Sequence, residues 1–169
     1  IDVRGGARDV ETVLTGVTLA LAHRPDTSFL LFGDSELIEP ILKKFPTLKA
    51  ASDVYHCDVA IDMDMKPSQA LRQGRKTSSM WQAIDAVNTG IADGAVSAGN
   101  TGALMAMSKV ILKTLNGIER PAIAAIWPTM KGETIVLDMG ATIGGSAEQY
   151  FQFAVMGDAY ARIIFGLES

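Results

Sequence analysis

The sequence predicts a three-layer α/β/α fold with a largely parallel sheet, and three observations carry that prediction. Short apolar runs alternate with amphipathic segments, the pattern of a parallel sheet covered by helices on both faces. The stretch Val96-Ser97-Ala98-Gly99-Asn100-Thr101-Gly102-Ala103-Leu104 joins an apolar strand to a helix through small and hydroxyl-bearing residues. A chain of 169 residues with 48% hydrophobic and 20% charged content has enough apolar surface to bury a sizeable core, here as one lobe over 1–169.

The elements follow in order. Asp2-Val3-Arg4-Gly5-Gly6 reads as a strand with paired glycines, either a tight turn or a source of backbone N–H groups and of Arg4 for a ligand. Val10, Val13, Leu14, Val17 and Leu21 repeat at helical spacing behind Asp9, a suitable N-cap, and Pro25 follows that run. Strands are expected at 28–32 and 54–57, with loops marked by Pro46 and the polar residues around Ser52. Asp62 and Asp64 lack a calcium-loop pattern and read as a solvated loop. Met80, Ile84 and Val87 form the face of a helix that starts at Ser78 or Ser79 and stops at Gly90. A strand at 94–97 precedes a well-buried helix at 104–115, where Lys109 and Lys113 are the charged exceptions. Asn116-Gly117 and Arg120-Pro121 punctuate the route to strands at 122–126 and 134–138. In the last, long apolar helix, Tyr150, Phe151, Phe153, Val155 and Met156 read as core packing rather than an acyl-chain tunnel.

A net charge of −4 argues against a general nucleic-acid surface. Cys57 is the single cysteine, so no intrachain disulfide forms and a reducing cytoplasm is the simplest setting. No apolar run reaches the roughly 18 residues of a transmembrane helix and no secretory signal opens the chain, so it reads as soluble or at most peripheral to a membrane. Both ends read as cut.

Three places can carry chemistry. Gly99 and Gly102 let the backbone turn and approach a ligand, while Ser97, Asn100, Thr101 and the following helix offer hydrogen-bond donors, which suits a phosphate or carboxylate. Direct donors dominate there: a hydrogen bond to a charged group is worth about 1.5–3 kcal/mol against roughly 0.3–1 kcal/mol for a helix dipole. Arg72, Arg75 and Lys76 precede Thr77, Ser78 and Ser79. They form either a clamp for phosphate, an acidic headgroup or an acidic protein, or a solvated helix end with ordinary capping. Asp138 follows an apolar strand and precedes Gly140, so it either faces one crevice with Ser97 and orients substrate, or caps the turn. His23 near a helix end and His56 beside Cys57 give neither metal-ligand spacing nor a nucleophile with a visible partner, and no complete nucleotide-binding glycine fingerprint is present.

Five motifs in order, Arg72 with Lys76-Thr77-Ser78-Ser79-Met80, Val96 to Met105, Arg120-Pro121-Ala122, Leu137 to Ala141 and Gln152 to Gly157, resemble the PlsX family of phosphate acyltransferases. The resemblance implies a fold of the isocitrate and isopropylmalate dehydrogenase type, and transfer of a long acyl group from acyl carrier protein to inorganic phosphate for bacterial phospholipid synthesis. It implies no metal and no redox cofactor, a homodimer, and a cytoplasmic protein that touches the membrane peripherally. By the same resemblance, Asn100 and Asp138 are the catalytic candidates, and Ser97, Gly99, Thr101, Gly102, Arg72, Lys76 and Ser78 the substrate-binding ones. Replacing Asn100 by Ala is then expected to lower activity without unfolding. Family members are longer, which makes this chain the amino-terminal part. Departures fall at Val3, Arg4 and Ala7 in the first loop, and at Thr142, Gly144, Gly145 and Ser146 after Gly140. A short-chain phosphotransacetylase and a non-catalytic carrier-binding remnant are the alternatives.

Overall fold

A computed structural model describes residues 1–6, 9–141 and 144–167, so the departures at Ala7 and Thr142 lie outside the described residues. Where the sequence reads as one lobe, the chain divides into two compact units, Ile1–Leu112 and Lys113–Ser169.

The first unit is α/β. Strands β1 (Phe29–Gly33) and β2 (Ser52–His56) pair in parallel, with Leu31 opposite Val54. On the other side of β1, Asp2 forms parallel bridges to Phe32 and to Ser97. The Val3 N–H donates to Phe32 O at 2.9 Å, and the Asp2 N–H to Val96 O at 2.9 Å. Four chain segments thus run in parallel and bring their carboxyl ends to one edge. The strand expected at 94–97 is reduced to that single bridge. Gly94 and the exposed Val96 give it little side-chain packing to extend the ladder.

Leu31 and Phe32 alternate across the sheet and so meet different layers. On the Leu31 side, α1 (Val10–His23), α2 (Ser35–Leu42) and α3 (Pro46–Ala50) bury Leu14, Val17, Leu21, Ile38, Leu42 and Leu48. Phe32 instead packs with Cys57, Ala83 and Ala86, the last two from α5 (Ser79–Asn88). Ile61, Met80, Trp81, Ala103 and Met107 bind α5 to α4 (Pro67–Gln73) and α6 (Thr101–Leu112). Capping follows the sequence signals: Asp9 accepts from the Thr12 N–H at 2.7 Å, and Ser78 from the Trp81 N–H at 3.2 Å. Pro46, expected in a loop, is instead the first residue of α3, where its missing N–H costs nothing. Helix α6 buries only Ala103, Met107 and Ile111; Val110 and Leu112 are exposed and Leu115 lies beyond the helix end, so the expected well-buried helix is corrected to one buried on a single side.

In the second unit, β3 (Ala125–Thr129) and β4 (Gly132–Val136) pair antiparallel and α7 (Ala147–Phe165) packs on β4. This corrects the parallel expectation for 122–126 and 134–138. Two residues, Met130 and Lys131, join these strands, enough for a hairpin and far too few for a parallel crossover. Of the aromatic cluster read as core, Phe153 is buried, whereas Tyr150, Phe151 and Val155 are exposed.

Candidate anion-binding site

The carboxyl edge of the parallel segments is where an open α/β sheet holds ligands, and the turn at 97–102 is built there from both sides. The Ser97 hydroxyl donates to Asp2 Oδ2 at 2.7 Å and accepts the Gly99 N–H at 3.1 Å. Asp2 is 3% exposed, and its Oδ1 has no partner among the described residues. A Cβ on Gly99 would collide with the Gly5 carbonyl oxygen, and one on Gly5 would strike the Asp2 carboxylate and stand 2.6 Å from Ser97 Oγ. Only glycines let the two loops meet this closely.

Asn100 is buried and its side chain is fully engaged. Its Oδ1 accepts the Ala103 N–H at 3.0 Å, capping α6, while Nδ2 donates to Asp62 O at 3.1 Å, Met63 O at 3.0 Å and Met65 O at 2.8 Å. This amide therefore shapes the site and presents no free group to a ligand. Replacing Asn100 by Ala, expected to lower activity without unfolding, would therefore also cost stability. With Ala103 and Leu104 bonded to Asn100, the N–H groups of Thr101 and Gly102 fall in the first turn of α6, where helix geometry supplies no intrahelical partner.

The basic segment divides. Arg72 and Lys76 are exposed, and α4 packs on α6, with Pro67 Cγ 3.0 Å from where a Gly102 Cβ would stand. Lys76 keeps a left-handed backbone at φ 64°, a conformation that costs an L residue roughly 1–2 kcal/mol and suits glycine better. It lines a largely apolar hollow of about 620 Å³ with Phe32, Tyr55, Trp81 and Ile111. Ser78 is wholly buried, accepting from Trp81 and donating to Gly74 O at 2.9 Å, so its position is that of a helix cap rather than a ligand contact.

In the second unit, Asp138 Oδ1 accepts the Ile123 N–H at 3.0 Å, and its Oδ2 is buried without a partner among the described residues. Arg120 Nη2 donates to Ala141 O at 3.3 Å, while its Nε is buried and unpartnered among the described residues. The bond to Ile123 spans 15 positions, so the Asp138 side chain ties two separate segments together instead of capping the turn that follows it, and its second carboxylate oxygen has no partner among the described residues.

Sequence reasoning passed over two groups. Asp2 was visible as an acid inside an apolar strand, the usual mark of a buried carboxylate with a partner. His56, read only as lacking a metal-ligand spacing and a nucleophile with a visible partner, has Nδ1 2.9 Å from Ser35 Oγ and Nε2 2.9 Å from Asp58 Oδ1. The hydrogen bond to Asp58 raises the His56 pKa above the ordinary histidine value. Imidazole NMR should show His56 titrating above about 6.5 and moving back down in Asp58→Asn; an unmoved titration would remove Asp58 as the cause. The stability that this pair gives is complete below about pH 6.5 and is lost as pH rises through the raised value. Cys57 is buried, which pushes its thiol up to about 11 and leaves it inert at neutral pH. Among the described residues no three His, Cys, Asp or Glu gather as a metal site, and no helix is long and apolar enough to cross a membrane.

A family model described as "Fatty acid synthesis protein" matches residues 1–169. The chain is 60% identical over 168 residues to a protein of Azorhizobium caulinodans named phosphate acyltransferase, covering 99% of this chain and 47% of that protein. It is 59% identical to a protein of the same name from Nitrobacter hamburgensis, at 99% and 48% coverage, and 56% identical to one from Xanthobacter autotrophicus, at 100% and 48%. The chain thus spans about half the length of the curated relatives it matches. These matches agree with the resemblance carried by the five motifs.

Proposed function

Because the chain belongs to the fatty acid synthesis protein family, we propose that the protein it forms part of transfers a long-chain acyl group from acyl carrier protein to inorganic phosphate. One observation carries the reading: a glycine-walled turn leading into the first turn of α6, whose Thr101 and Gly102 amides helix geometry leaves without intrahelical partners, at the carboxyl edge of a parallel sheet. A phosphate held there keeps one oxygen free to attack the thioester carbonyl. The tetrahedral intermediate collapses, the C–S bond breaks, and the phosphate proton passes to the leaving thiolate. The products are acyl phosphate and the carrier thiol.

Holding phosphate and thioester together is worth several kcal/mol of the barrier, and fixed donors aimed at the developing negative charge supply more. In this reading Gly99 and Gly102 shape the phosphate seat, and Ser97 and Thr101 line it. Asn100 positions it, while Arg72 and Lys76 attract phosphate or an acidic carrier. Asp138 organises substrate groups through its uncommitted oxygen. The dehydrogenase-like three-layer fold, a homodimer, a cytoplasmic location and peripheral membrane contact complete the proposal. The test incubates the full-length protein with long-chain acyl carrier protein and follows thioester loss with and without phosphate. Phosphate-dependent loss with recovery of acyl phosphate is expected. A folded protein that binds the carrier and consumes no thioester overturns the reading, and faster turnover with acetyl-coenzyme A would make it a phosphotransacetylase.

A further inference from the structure

The hydroxyl of Ser97 has three hydrogen-bonding capacities, one proton and two lone pairs. Its proton is fixed on Asp2 Oδ2 at 2.7 Å, and one lone pair takes the Gly99 N–H at 3.1 Å. What remains for a ligand is a single lone pair, an acceptor. Asp2, an acceptor-only carboxylate in its ionised form, is 3% exposed and has its other oxygen without a partner among the described residues. The strand end of the turn therefore offers acceptors, whereas the helix end offers the Thr101 and Gly102 N–H donors.

We propose that Asp2, acting through Ser97, makes this site select an oxyanion that carries a proton. The inference rests on the phosphate reading above and adds a specificity determinant to it. Inorganic phosphate near neutral pH keeps at least one P–OH, which donates to Ser97 while its other oxygens accept from the amides of α6. Sulfate and monofluorophosphate have similar size and tetrahedral shape but no proton near neutral pH. Each would set a bare oxygen against the Ser97 lone pair with a buried carboxylate behind it, and an unmatched buried polar contact is costly. Asp2 is a positioning residue in this scheme, because it acts by fixing the direction of the Ser97 hydroxyl. The first loop is built to permit it: Gly5 leaves the space in which Asp2 and Ser97 meet.

The test is calorimetric binding of phosphate, sulfate and monofluorophosphate to the full-length protein at neutral pH, alongside phosphate-dependent thioester loss. The native protein should bind phosphate at least tenfold more tightly than either unprotonated anion. Asp2→Asn, nearly isosteric, adds an N–H donor and should shrink that preference below threefold, mainly by strengthening sulfate binding, a change that a merely weakened fold does not produce. Native affinities within threefold of one another overturn the proposal without any variant, as does an unchanged preference in folded Asp2→Asn. The phosphate reading fails separately: thioester loss that needs no phosphate defeats that reading, whereas phosphate-dependent loss with flat anion selectivity defeats only the role of Asp2.

Discussion

Gly99→Ala should lower phosphate-dependent turnover of the full-length protein by about 100-fold while leaving its far-ultraviolet circular dichroism native. The added methyl would collide with the carbonyl oxygen of Gly5, a backbone atom that cannot swing aside as a side-chain tip can. Either the turn at 97–102 or the first loop must shift, and a displacement of about 1 Å at a reacting centre can cost on the order of 10²-fold in rate. Overpacking of this kind costs roughly 1–3 kcal/mol, so the fold is expected to survive it. Gly102→Ala, in the same seat, should have a milder effect. Its methyl would meet Pro67 Cγ at 3.0 Å and Asn100 Oδ1 at 3.5 Å, and alanine favours the helix by up to about 1 kcal/mol. Turnover in Gly102→Ala should stay within tenfold of native. If kcat/KM for phosphate in Gly99→Ala lies within threefold of native, the close approach of Gly5 and Gly99 does not shape the phosphate seat.

How much of this was legible in the sequence depends on the distance over which each feature is decided. Helix α1 with its Asp9 cap and helix α5 with its Ser78 cap were legible because apolar period and cap lie within one turn of each other. Strand β1 came within one residue of its expected position. The β3–β4 hairpin was misread because apolar runs reveal a strand but not the direction of its partner, which the two-residue connection decides. The segment at 94–97 has the composition of a strand, yet its pairing depends on Asp2 at the far end of the first unit. The turn at 97–102 was legible as a strand-to-helix connection, but its hydrogen-bond partners were not. Gly99, Asn100 and Thr101 stood out as a turn before a helix. That Asn100 holds residues 62–65, and that Ser97 bonds an acid 95 positions away, are long-range facts that no local spacing announces.

The burden on Asn100 gives the second large effect. Asn100→Ala removes the cap on Ala103 and leaves the carbonyls of Asp62, Met63 and Met65 without their shared donor. Loss of a cap costs about 1 kcal/mol, and stranding partly buried acceptors adds about 1–3 kcal/mol, so a destabilisation of about 2–4 kcal/mol is expected in urea unfolding. Asn100→Asp separates the two contributions. It keeps an oxygen to cap Ala103 but turns a second one toward the three carbonyls, where it repels instead of donating. If capping is the main role, Asp should restore most of the stability. The three short bonds from Nδ2 favour the opposite result, with Asn100→Asp as unstable as Asn100→Ala or more so. Activity should fall in both variants through displacement of the Thr101 and Gly102 amides. An Asn100→Ala protein of native stability and native turnover would show that the loop at 62–65 is held by other means and that the amide has no part in forming the site.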